Sequence, residues 1–322
     1  MITSLIYDKK MSAVLISGGT GLIGTKLTTH LIENNYEVII LSRNKNKSSP
    51  NPKITYSFWD VKNQLIDVDV LKKADYIINL AGAGVMDKKW TEEYKKVIIE
   101  SRTKSGELLI KALKENTHHV KSFISASAIG WYGADADPLL HKDGFTEMDP
   151  PDKNFLGESC VLWENRVDPV AEMGIRLVKL RTGIVLSNDG GAFKEFKFPL
   201  RFGVAVILGS GKQILSWIHI DDICRMYIEA IENKELNGVY NAVAPWPVSN
   251  KKLILETAEK FRNKFYIPIH VPTFILKLFL GKRSVEILKS ATVSDKKIKS
   301  MGFTFLYPTI ESAVEELVIS SK

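Results

Sequence analysis

The stretch that most constrains this chain is Val14 to Gly24, VLISGGTGLIG. A short β-branched and aliphatic run passes into Gly18-x-x-Gly21-x-x-Gly24, and the amphipathic segment TKLTTHLIENN follows at once. Strand, glycine turn and helix in that order bring the free N–H groups of a helix N-terminus, and the positive end of its dipole, to a pyrophosphate. The glycines divide the work among a tight turn, close approach of backbone to phosphate, and close packing of helix on strand. The other common phosphate loop, G-x-x-x-x-G-K-[ST], does not fit. Gly19 and Gly24 have its spacing, but Thr25-Lys26 reverses the lysine and the hydroxyl. Gly18, Thr20, Gly21, Leu22, Ile23 and Gly24 are therefore the expected contacts to a dinucleotide.

The next strand, Glu37 to Leu41, narrows the cofactor. NAD sites usually carry an acid about 20 residues past the glycines, where it binds the ribose 2′-hydroxyl. Here that place reads Ser42-Arg43-Asn44-Lys45, two cations and no acid. A carboxylate repels a 2′-phosphate, whereas a guanidinium holds it by charge-assisted hydrogen bonds. Ser42 and Arg43 thus favour NADP over NAD, the alternative being an Arg43 that decorates an exposed turn.

The chain's 322 residues are enough for a large core. Lys plus Arg number 44 against 37 Asp plus Glu, a net charge of +7. The cations read as scattered among acids, as Lys251 and Lys252 are with Glu256 and Glu259, so they read as solvated helix faces and no nucleic-acid partner is expected. Two distant cysteines, Cys160 and Cys224, suit a reducing compartment, in keeping with a cytoplasmic location, and no metal-ligand spacing is present. No apolar run reaches the roughly 18 residues of a membrane span. Pro272 to Gly281 is too short and carries Lys277, so it reads as an amphipathic core helix, and no membrane partner is expected. The leader MITSLIYDKK, residues 1–10, reads as a flexible extension.

Strand and helix patterns alternate beyond the first unit. Ile54 to Phe58, Tyr76 to Leu80, Phe123 to Ser125 and Arg176 to Arg181 read as strands; Thr91 to Lys114 and Phe155 to Met173 read as helices. That alternation implies an α/β fold, a Rossmann-type doubly wound parallel sheet with ligands at the carboxyl ends of its strands. The expected division is a nucleotide-binding domain over 11–183, rejoined by 216–247, and a smaller C-terminal substrate-side lobe from 184–215 and 248–322.

Several motifs in order then carry a resemblance: GGTGLIG, Asn79-Leu-Ala-Gly82, Ser101-Arg102, Ser125 to Gly133 (SASAIGWYG), Leu180-Arg-Thr-Gly-Ile-Val-Leu186, Trp217-Ile-His-Ile-Asp-Asp222 and Asn241-Ala-Val-Ala-Pro245. The chain resembles the extended short-chain dehydrogenases/reductases, in their atypical, epimerase-like branch of the YfcH type, over roughly residues 13 to 318. The resemblance implies that Leu80, Ala81 and Gly82 approach adenine and ribose, that Arg102 reaches the cofactor phosphates, and that Val185 meets the nicotinamide end. Asp60 would either bind adenine or form a turn. A homodimer paired through the helices at 91–114 and 153–173 is also implied, with Leu162 and Val170 serving either core or interface.

Catalysis is where this chain departs from the family pattern. Ordinary members use Tyr-x-x-x-Lys, in which lysine lowers the tyrosine pKa and tyrosine transfers the proton. None of the ten tyrosines here has Lys four residues later, and Phe155, Leu156 and Cys160 stand where the pair belongs. The remaining candidate hydroxyls are Ser127 and Tyr132, expected on a loop facing the nicotinamide. His219 reads either as an acid–base group or as a structural histidine, with Asp221 or Asp222 capping the next helix. Trp217 and Trp246 line a pocket or fill the core. Two function classes follow: an NADP-dependent oxidoreductase or epimerase acting on a carbonyl compound or nucleotide sugar, or a non-catalytic NADP-binding redox sensor or regulator.

Overall fold

The computed structural model describes residues 11–135, 143–263 and 265–321, and the extension expected over 1–10 lies outside them. In chain order its first strands are β1 (Ala13–Ser17), β2 (Glu37–Ser42), β3 (Ile54–Asp60), β4 (Leu65–Ile66), β5 (Tyr76–Asn79), β6 (Ser122–Ala128) and β7 (Arg176–Thr182). Then come β8 (Ile184–Leu186), β9 (Val204–Leu208), β10 (Ile214–Leu215), β11 (Trp217–His219), β12 (Gly238–Ala242), β13 (Val248–Ser249) and β14 (Ile267–Val271). The helices begin with α1 (Leu22–Glu33), α2 (Glu92–Glu115), α3 (Phe155–Val167), α4 (Pro169–Glu172), α5 (Gly191–Leu200) and α6 (Ile220–Glu232). They continue with α7 (Asn250–Arg262), α8 (Thr273–Leu280), α9 (Ser284–Leu288), α10 (Lys296–Ser300) and α11 (Ile310–Ile319).

One eight-stranded sheet runs in the order β12-β7-β6-β5-β1-β2-β3-β4. Its neighbours are parallel except for β4, which is antiparallel to β3. Strand order runs outward from β1 in both directions, the doubly wound arrangement, and the reversal between β1 and β5 opens a crevice at the carboxyl edge. Successive strand residues point to opposite faces. Val14 and Ile16 accordingly join Val38, Ile40, Ile78 and Ile124 in a core closed by Leu27 and Leu31 of α1 and Ile223 and Tyr227 of α6. Leu15 joins Ile39, Leu41, Ile77 and Phe123 in a second core, closed by Leu108 and Leu109 of α2. Burial on both faces is why these strands read as nearly unbroken apolar runs.

The helix expected over 155–173 is broken. α3 ends at Val167 and Pro169 opens α4, since a ring that lacks an N–H fits a first helical turn and not a helix interior. Beyond β7, β8 pairs with β11, β10 with β13 and β9 with β14, while β12 returns to the main sheet beside β7. Phe193, Trp217, Leu253 and Val314 form a third core. Trp217 is buried there and its Nε1 donates to the Trp246 carbonyl at 3.0 Å, whereas Trp246 itself is exposed.

The segment 272–281 corrects an expectation. It forms α8, but of Thr273–Leu280 only Leu276 is buried, so this is no core helix. An amphipathic pattern fixes which residues share a face and does not supply a layer opposite it.

Candidate functional site

The glycine turn sits where β1 ends and α1 begins. Gly18 has φ 72°, a conformation that L side chains rarely adopt, and a Cβ there would stand 2.8 Å from the Leu80 carbonyl carbon. A Cβ at Gly24 would meet the Gly19 Cα at 2.6 Å, so α1 rests directly on the turn. Thr20 and Gly21 are exposed, and Leu22 and Ile23 are half-buried. Gly21 caps α1 without a side chain, and the first turn of the helix holds no acid. Its N–H groups and dipole are therefore open to an anion.

Across the crevice the loop after β5 is pinned by α2. Ser17 Oγ donates to Asn79 Oδ1 at 2.6 Å. The Ala83 N–H donates to Ser101 Oγ at 2.9 Å, and Tyr94 donates its hydroxyl to the Gly84 carbonyl at 2.7 Å. Leu80 and Ala81 are half-buried, Gly82 is exposed, and a Cβ at Gly82 would lie 3.1 Å from Arg102 Cζ. Arg102 packs its guanidinium over the Trp163 ring at 4.8 Å and donates to the Ile98 carbonyl. Burial lowers its pKa, and no carboxylate among the described residues offsets that burial. Asn79 Nδ2, at the same edge, is buried without a partner among the described residues. A cation and an amide donor left in this state are what a pyrophosphate and ribose would satisfy.

Ser42 ends β2, beside β1 on the same carboxyl edge, and its Oγ accepts from the Asn44 N–H at 3.1 Å. Arg43 follows, exposed. Asp60 accepts from the Lys62 and Asn63 N–H groups and from Asn63 Nδ2, which makes it a turn residue. Val185 lies in β8. A Cβ on Gly191 would stand 3.7 Å from the Val185 carbonyl and 3.3 Å from a Leu22 methyl, so Val185 borders the N-terminus of α1. These groups could hold a dinucleotide, with Gly18 to Gly24 and Arg102 available to its phosphates, Leu80 to Gly82 to the nucleoside, and Ser42 and Arg43 to a 2′-phosphate.

The other end differs from expectation. Tyr132 does not sit on an open loop. It is fully buried, stacked on Phe145 with ring centroids 5.2 Å apart. Its hydroxyl donates to Asn241 Oδ1 at 2.7 Å and accepts from Arg181 Nη1 at 3.1 Å. Burial pushes its pKa up to about 12, against the pull of Arg181. Ser127 lies in β6, also buried, and donates to Glu164 Oε1 at 2.6 Å. Glu164 in turn receives Arg181 Nε at 2.8 Å and Nη2 at 3.1 Å, a two-pronged pair inside the protein. Trp131 covers that guanidinium at 3.6 Å. Arg181, Glu164 and Asn241 were absent from the sequence-based set. Their signal was there, a charge inside an apolar strand and an acid among the apolar residues of α3. At Gly130 a Cβ would meet Leu156 Cβ at 3.3 Å and Cys160 Sγ at 3.7 Å. Burial raises the Cys160 thiol to about 12, so it is inert at neutral pH.

His219 is structural. As the cap of α6, its Nδ1 accepts from the Asp221 N–H at 3.2 Å, so its Nε2–H donates to Glu316 at 2.8 Å. The capping expected of Asp221 or Asp222 thus falls to His219, because Asp222 is occupied by the Leu306 and Tyr307 N–H groups. Asp221 pairs with Lys26 and His30 of α1; against the upward pull of burial, these bonds hold it down at about 2.

A recess of about 370 Å³ opens among Ser210, Lys212, Gln213, Thr273, Leu288 and Ser290. It adjoins the loop after β6, because the Ser290 carbonyl accepts from the Asp135 N–H and Lys289 donates to the Tyr132 carbonyl. A larger one of about 460 Å³, around Asn116 and His118, lies at the amino edge of the sheet, away from the glycine turn.

Comparison with known proteins agrees with this geometry. The pattern described as the NAD dependent epimerase/dehydratase family matches residues 14–242, and a domain of unknown function, DUF1731, matches residues 271–317. The epimerase family protein SSP1921 of Staphylococcus saprophyticus is 35% identical over 314 residues, covering 96% of this chain and 100% of the relative. Human epimerase family protein SDR39U1 (isoform 2), solved with NADPH, superposes with a TM-score of 0.80 at 26% identity, covering 95% of this chain and 99% of that one. A nucleoside-diphosphate sugar epimerase of Corynebacterium glutamicum gives 0.74 at 30% identity, covering 96% of this chain and 58% of that one.

Proposed function

Because this chain belongs to the NAD dependent epimerase/dehydratase family, we propose that it binds NADP(H) and serves as a reductase or epimerase of a polar carbonyl compound or nucleotide sugar. The observation that carries the cofactor choice is the pair of cations at the crevice, exposed Arg43 after β2 and acid-free Arg102 beside Gly82. The NADPH held by the human relative supports the same reading. When bound, the cofactor supplies or takes a hydride. The chain's own part is to fix the phosphates on α1 and to hold the substrate near Ser210, Lys212 and Gln213. Lys212 brings a positive charge to that recess, which suits an anionic substrate such as a sugar nucleotide.

A second reading, the NADPH-binding sensor or regulator, is favoured by one observation. The Ser127 and Tyr132 hydroxyls are both committed to buried partners. NADPH oxidation against a panel of carbonyl compounds, together with interconversion of nucleotide sugars in the presence of the cofactor, separates the two. Turnover of any member supports the enzyme; tight NADPH binding with no turnover anywhere supports the sensor. A homodimer across α2 and α3 belongs to the same proposal, since Val97 and Leu162 are exposed there while Val170 is core. Sedimentation velocity of the wild type and Leu162→Glu tests it, and a wild-type monomer would rule it out.

A further inference from the structure

The cations are scattered along the chain, but their excess over acids is not. Between residues 260 and 294 seven Lys and Arg stand against one acid, Glu286, so this segment carries +6 of the chain's net +7. The same segment leaves large apolar side chains in solvent: Phe274 is 70% exposed, Leu278 76% and Phe279 69%, with Phe265, Ile267 and Val285 also exposed. Lys277 lies among them on α8 and Lys282 just beyond it, both exposed. Phe202 extends the patch, because the Ile267 N–H donates to the carbonyl of its neighbour Gly203.

We propose that this face, made by β14, α8 and the turn into α9, seats the protein on an anionic lipid bilayer. Phe and Leu in solvent beside Lys is the composition of a helix lying in the headgroup layer, its apolar residues reaching about 5–10 Å into the lipid. At eight residues α8 is roughly 12 Å long, suited to lying flat. No helix among the described residues is long and apolar enough to cross a membrane, so the attachment is peripheral. Charge decides between occupants. A second copy would bring Lys277 and Lys282 up against the same cations, whereas anionic headgroups attract both. Duplex nucleic acid would match the charge but leave the phenylalanines in water. Arg283 donates to the Met86 carbonyl at 2.6 Å, so the seated face adjoins the loop after β5 at the rim of the crevice. The proposal departs from the expectation that no membrane is involved.

The test sediments the full chain with vesicles of phosphatidylcholine alone and of phosphatidylcholine mixed with phosphatidylglycerol. The protein should sediment with the anionic vesicles only and be released by high salt. Replacing Phe274, Leu278 and Phe279 together by Ser should weaken partitioning at least about 100-fold. Lys277→Gln with Lys282→Gln should weaken it about 30-fold. Both variants should keep the circular dichroism and NADPH affinity of the wild type. Absence from anionic vesicles, or binding that neither variant alters, overturns the proposal. So does a dimer in light scattering that the serine variant dissolves, or binding to duplex DNA that the serine variant leaves unchanged.

Discussion

The two ends of the crevice are built on opposite principles. At the glycine turn polar groups are left open: the first turn of α1 has neither a capping side chain nor an acid, and Arg102 is sunk beside Gly82 without a carboxylate. At the far end every hydroxyl expected to do chemistry is closed off, with Ser127 on Glu164 and Tyr132 between Asn241 and Arg181. Unpaired donors mark a place prepared for a ligand, whereas a fully bonded buried network specifies a fold. On the proposed reading, cofactor binding and proton transfer are separable parts of this architecture: the open polar groups lie at the glycine turn, while the Ser127 and Tyr132 hydroxyls are closed off.

The largest effect should come from breaking the closed end. Glu164→Ala strands the Arg181 charge inside the protein, and loss of one member of a buried pair costs about 3–5 kcal/mol. Urea denaturation reads this directly; a loss below about 1 kcal/mol, the range of a surface pair, would mean the network is not what holds that end together. At the open end, Gly18→Val should weaken NADPH by at least about 30-fold, since forcing a β-branched residue into a left-handed conformation costs about 2 kcal/mol. Unchanged affinity would show that the turn does not have to hold this shape.

His219 gives a smaller, pH-dependent effect. Burial holds its pKa below the ordinary 6.5, although Asp221 and Glu316 pull upward. A group with a depressed folded pKa gives stability that is whole above its unfolded pKa and is lost as pH falls through the folded one. The thermal midpoint should therefore begin to fall below about pH 6.5 and fall less in His219→Gln. Asp221, held at about 2, adds to the slope only below about pH 5, where its carboxyl protonates in the unfolded chain. Equal slopes in the two proteins would remove His219 from the account. The smallest effect is expected from Tyr132→Phe. Losing its hydrogen bonds should cost about 1 kcal/mol of stability. Any NADPH oxidation should change by less than about threefold, where loss of a general acid would cost about 10²–10⁴-fold. A loss of that size would return Tyr132 to the chemistry.

The legibility of the sequence follows the same division. Backbone-dictated features were plain: the glycine spacing gave the turn, and strand–helix alternation gave the parallel sheet, because both depend on local geometry and period. The directions of side chains were not. Tyr132 and Ser127 stand in a family motif, yet the partners that draw them inward are Arg181, Glu164 and Asn241, which lie 49, 37 and 109 positions away from them. No local pattern reports such pairings. α8 failed for a related reason, since its periodicity described a face and only the tertiary fold could say that the face stays uncovered.

Titrating the wild type and Arg43→Ala with NADPH and NADH, following protein fluorescence, tests whether the glycine-turn end is built for NADP(H). NADPH should bind more tightly than NADH. Arg43→Ala should lose about 10- to 150-fold for NADPH, the value of a charged hydrogen bond, and almost nothing for NADH. Equal affinities for the two cofactors in the wild type would contradict that reading.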